Sequence, residues 1–136
     1  MTATKAWQAI FVLLVIFVTW QTLTPDPDDT EQGIAIARWI AALLFRAPEQ
    51  ADKIAHFLAY AALGGSAALG DLRVIGLRSP VIAMLATYGL ALEGLQGLGG
   101  VRAPEIADGV ANALGVIAAF AAVAVAEQVA RQWRPA

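Results

Sequence analysis

From Ala6 to Pro25 the chain carries no charged residue, and from Gly109 to Ala126 it carries none again. A helix rising ~1.5 Å per residue needs ~20 such positions to cross ~30 Å of hydrocarbon. Inside lipid a helix satisfies its own backbone hydrogen bonds, so these runs read as membrane-crossing helices. Composition points the same way. The hydrophobic fraction is 59% and the charged fraction 15%, against about 45–50% and about 25% in soluble domains. The chain lacks cysteine, which excludes a disulfide framework, a thiol nucleophile and a thiolate metal site. A net charge of −2 offers no basic patch for nucleic acid.

The first apolar run, about 6–23, has Trp7 and Trp20 near its ends, where tryptophan favours the interface. Lys5 before an apolar stretch also fits a signal peptide, but no small-x-small cleavage site follows. An uncleaved anchor is the expectation. Pro25 to Asp29 forms an acidic, helix-breaking loop. In 31–46, Ile36, Trp39, Ile40, Leu43 and Leu44 recur at helical spacing between Arg38 and Arg46. That segment is short for a crossing and suits a helix lying in the interface. Further crossings are expected at about 53–70, 80–98 and 106–126, with Pro80 suited to a first helical turn. The predicted fold is therefore all-α: one domain over 1–136, a four-transmembrane-helix bundle with a short interfacial helix between the first two crossings. Glycines in and beside the crossings would let helix backbones approach closely. Four crossings put both termini on one side, with Lys5, Arg73, Arg78, Arg131 and Arg134. By the positive-inside rule that side is cytoplasmic.

Polar residues gather at the other face. Asp52, His56 and Tyr60 are spaced four apart, Glu93 and Gln96 three apart, and Asp108 and Asn112 four apart, each set on one helix face. The second and fourth crossings begin, and the third ends, at the same level. Asp52, Lys53, Gln96, Arg102 and Asp108 therefore share a depth, with His56, Glu93 and Asn112 about one turn further in. An ionisable group within a crossing costs at least ~2.5–3.5 kcal/mol and usually faces the bundle interior with a partner. Glu93, flanked by apolar residues, is the sharpest case; Lys53, His56 and Arg102 are its expected partners. Singly, these residues have plainer explanations. Asp52 and Asp108 suit helix first turns, Tyr60 could be a core aromatic, and Gln96 and Asn112 could bond helix to helix. Together they predict a site.

The pattern Asp52-Lys53-x-x-His56-x-x-x-Tyr60, then Glu93-x-x-Gln96, then Arg102 with Asp108-x-x-x-Asn112-x-x-Gly115, resembles the VanZ-like family of small bacterial membrane proteins. The likeness covers Asp52 to Gly115. Gly100-Val101 stands before Arg102 where the family pattern has Pro-Gly, and Ala119 where a second glycine often follows. The resemblance implies a multi-pass protein of the bacterial inner membrane, a family link to resistance against the glycopeptide teicoplanin, and those nine polar positions as the motif.

Three functions fit this reading. In the first, Lys53 and Arg102 hold the phosphate or carboxylate of an anionic envelope molecule, a lipid headgroup or lipid-linked cell-wall precursor. Glu93, His56 and Asp108 would orient those cations. The second is an intramembrane enzyme on a lipid or phosphate-bearing substrate, with His56 or Glu93 as general acid or base; no nucleophile stands out. The third is a proton-linked lipid transporter, which would want polar residues through both leaflets, or a homodimer completing the path. No cofactor is expected. A metal centre on Asp52, His56, Glu93 and Asp108 would have a single histidine, and none is assigned.

Overall fold

A computed structural model describes residues 2–24, 35, 39, 40, 42, 43, 50–100 and 105–133. Four long helices organise them: α1 (Ala3–Leu23), α2 (Ala51–Leu69), α3 (Ser79–Leu98) and α4 (Ile106–Gln132). Three of these, α1, α3 and α4, are long and apolar enough to cross a membrane, which marks the chain as a membrane protein. Most of the expected interfacial helix at 31–46 lies outside the described residues, as does Arg102; Ala35, Trp39, Ile40, Ala42 and Leu43 are described and helical. The fourth helix outlasts its expected end near residue 126. Glu127, Gln128, Arg131 and Gln132 follow the apolar run and are good helix formers, so the turn of composition does not stop the helix.

Local chemistry sets the helix ends. The Thr2 side chain accepts from the Lys5 N–H to cap α1. Pro80 occupies the first turn of α3, where its missing N–H costs nothing. The turn between α2 and α3 is pinned by paired bonds between Val74 and Leu77, 3.0 Å each way, with Gly76 at φ +77°.

Helices consecutive in the chain run antiparallel, as contacts at their ends show. Gln8 near the start of α1 donates to the carbonyl of Gly70, just after α2, at 2.9 Å. Arg78, before α3, bonds both oxygens of Glu127 in α4 at 3.0 and 2.8 Å and Asp71 at 2.8 Å. Hydrogen bonds from Arg73 and Arg78 hold the Asp71 carboxyl below its usual range. Thr19, near the end of α1, and Tyr88, midway along α3, join hydroxyls at 2.6 Å.

The closest contact is between α2 and α4. A Cβ on Gly115 would overlap the Phe57 carbonyl oxygen, and one on Gly64 would stand 3.0 Å from the Val116 Cα and carbonyl oxygen. The helices touch backbone to backbone, the packing that small residues permit in lipid. Leu63, Ala67, Leu85, Leu92, Val116 and Phe120 fill the core around this crossing. On α1, by contrast, Leu13, Ile16, Phe17 and Trp20 are exposed along one side, a patch that water would not tolerate and acyl chains would.

Candidate functional site

The first turns of α2 and α4 meet the last turns of α3 at one end of the molecule, and this register assembles the polar cluster. Spacing by four aims Asp52, His56 and Tyr60 of α2 inward, and Asp108 and Asn112 of α4 toward them. Glu93 enters from α3. Although it sits in an apolar helix, it is 6% exposed; Asp108 and Asn112 are each 1% exposed and Tyr60 2%.

His56 is the hub. Its Nδ1 lies 3.1 Å from Asn112 Oδ1 and 3.6 Å from Glu93 Oε1. Both neighbours are acceptors, so Nδ1 carries the hydrogen. Its Nε2 lies 3.9 Å from Asp52 Oδ1 and 3.8 Å from Asp108 Oδ2. Lys53 reaches across the mouth of the cluster. Its ammonium bonds Glu105 and stands 3.2 Å from Asp108 Oδ1 and 3.7 Å from Asp52 Oδ2. The cation is thus shared among three carboxylates, a geometry that offsets much of the cost of burying Asp108. Tyr60 packs beneath, its ring 6.2 Å from that of Tyr88. Gly89 leaves room for this: a Cβ there would stand 3.1 Å from both Tyr60 and Asn112.

The structure brings Asp52, Lys53, His56, Glu93, Asp108 and Asn112 into one cluster with Tyr60 at its floor. Gln96 is half-buried on α3 and makes no hydrogen bond to the cluster among the described residues. Arg102 lies outside them. The residue that sequence reasoning passed over is Glu105, which precedes α4 and takes the Lys53 ammonium. The one available signal was an acidic residue three positions before Asp108, where the chain enters a helix opposite Lys53.

A cleft of about 290 Å3 lies between α3 and the start of α4, lined by Leu90, Glu93, Gly94, Glu105 and Ile106. A Cβ on Gly94 would meet nothing within 4 Å. The lining of the cleft is mostly apolar, with Glu93 and Glu105 as its two acidic residues. Its volume is too small for a whole lipid and sufficient for a headgroup fragment. Comparison with known proteins gives no match: no family model, no curated protein and no solved structure is similar to the chain.

Proposed function

We propose that this chain is a four-span, VanZ-like protein of the bacterial inner membrane that binds and positions the polar headgroup of an envelope lipid or lipid-linked cell-wall precursor. α2 is the fourth span. Its 19 residues give about 28 Å of length, and it packs closely along α4 in the same set of helices. Both termini lie on the cytoplasmic side, which puts the cluster at the periplasmic face, with the segment at 31–46 in the interface beside it.

The observation that carries the reading is Glu93. It is a carboxylate within a span, turned toward His56 and lining a cleft between α3 and the start of α4. Buried ionisable residues of this kind mark functional sites in membrane proteins. The mostly apolar lining suits an acyl-chain boundary, and Glu93 and Glu105 suit the polar groups of a headgroup. A positive handle for phosphate is less available than the sequence suggests, because Lys53 is already engaged by Glu105 and Asp108; Arg102 is the other candidate.

Gly94→Phe tests the cleft. The position faces open space, so the ring fills the cleft with no helix contact disturbed. Lipids co-purifying with the full chain are identified by mass spectrometry. Wild type is expected to retain one lipid class above its membrane abundance, and Gly94→Phe to lose it with unchanged thermal stability. Equal retention by both proteins contradicts the reading, and a chemically altered lipid in wild type alone indicates an enzyme.

A further inference from the structure

Three acceptors converge on one point of the cluster. Asp52 and Asp108 each divide their oxygens, with Asp52 Oδ2 and Asp108 Oδ1 turned to Lys53 and the other two turned to His56 Nε2. With Nδ1 bearing its hydrogen toward Asn112, a neutral His56 presents a lone pair from Nε2 to two carboxylate oxygens. Separations of 3.8 and 3.9 Å exceed the ~2.7–3.2 Å of a hydrogen bond. Those gaps are wide enough for an ion. Donors each ~2.0–2.2 Å from one divalent cation stand about 3 to 4 Å apart, and the donor atoms here all lie within 4.8 Å of one another.

We infer that Asp52 Oδ1, His56 Nε2 and Asp108 Oδ2 form a binding site for a first-row divalent cation such as Zn2+. The support around the donors is of the kind such sites need. A ligating histidine ordinarily donates its second ring N–H to a carbonyl or carboxylate, which fixes the tautomer; Asn112 and Glu93 occupy that position. Lys53 steadies the two outer carboxylate oxygens, and the inner two face His56 Nε2. One nitrogen and two oxygens disfavour Mg2+ and Ca2+, which take oxygen ligands, and suit Zn2+ or Mn2+. Three protein donors also leave a coordination position open.

Asp52, Glu105 and Asp108 stand around the Lys53 ammonium, and Glu93 faces His56. A dication held here would give a phosphate something to bind. This consequence rests on the headgroup reading; the site itself does not.

The test uses the full chain, purified without a histidine tag, stripped of metal and freed of lipid. Co2+ is titrated as a spectroscopic stand-in, and Zn2+ binding is followed by equilibrium dialysis. Wild type is expected to bind one equivalent and develop the visible band of nitrogen- and oxygen-ligated Co2+. Glu105→Gln should keep the band, while His56→Gln and the part-exposed Asp52→Asn should weaken binding by about tenfold or more. The two variants remove donors on different sides of the ion, so misfolding of one leaves the other informative. No saturable equivalent in wild type, or unchanged binding in folded His56→Gln and Asp52→Asn, overturns the site. Because no lipid is present, failure here leaves the headgroup reading standing, and loss of that reading leaves the metal site standing.

Discussion

Gly115→Leu is expected to separate α2 from α4 and destabilise the protein by more than about 3 kcal/mol, beyond the ordinary cost of an overpacked core. The reason is what the new side chain would strike. Its Cβ would overlap the Phe57 carbonyl oxygen and lie 2.9 Å from the Ala61 nitrogen, both backbone atoms of a helix that cannot rotate away as a side chain would. Relief requires moving a whole helix. In lipid no gain of buried apolar area compensates, because acyl chains are as apolar as the core. The site would fail with the packing: Asn112 lies one turn before Gly115, and its 3.1 Å bond to His56 depends on the same close approach. Gly65→Ala is the control. Its Cβ would meet only the Ala119 Cβ at 3.9 Å, so a change within about 0.5 kcal/mol is expected. Unfolding by detergent titration in mixed micelles reads both variants.

Lys53→Met has the second largest expected effect. Removing the ammonium leaves the buried Asp108 carboxylate without the cation 3.2 Å from its Oδ1, and with Asp52 and Glu105 nearby. Breaking a buried pair from one side costs about 3–5 kcal/mol, because the remaining charge stays desolvated. The lower figure applies, since Lys53 is itself part-exposed and its contact with Glu105 is near the surface. The signature is rescue: adding Asp108→Asn to Lys53→Met should recover most of the loss, as the carboxylate that needed the cation is gone. The same unfolding assay checks this, and a double variant less stable than Lys53→Met would contradict the pairing.

Much of this arrangement is legible in the chain because helical periodicity is simple. Spacing by four fixes Asp52 and His56, and Asp108 and Asn112, on shared faces before any packing is known, and antiparallel crossings of similar length bring those faces to one depth. Who pairs with whom is not so fixed. Lys53 was expected to hold an anion; it reaches instead to Glu105, because a long side chain at a helix start can swing to whichever loop the neighbouring helix begins from. Gln96 shares a coarse face with Glu93, but a spacing of three turns it ~60° back around the helix, and no cluster bond reaches it among the described residues. α2 is not among the described helices long and apolar enough to cross a membrane. Asp52, Lys53 and His56 lower its apolar score, yet those residues are turned inward, a fact of packing that a sum over residues does not contain.

In the proposed function, Glu93 and His56, from different helices, act as parts of one headgroup site. The most direct measurement is the amount of the retained lipid bound by wild type, Glu93→Gln, His56→Gln and the double variant, each confirmed as folded. Groups acting as a unit are strongly non-additive, so each single change is expected to reduce retention to nearly the level of the double. Retention that falls by independent, multiplying factors, or that stays at the wild-type level in either single variant, would contradict a shared site.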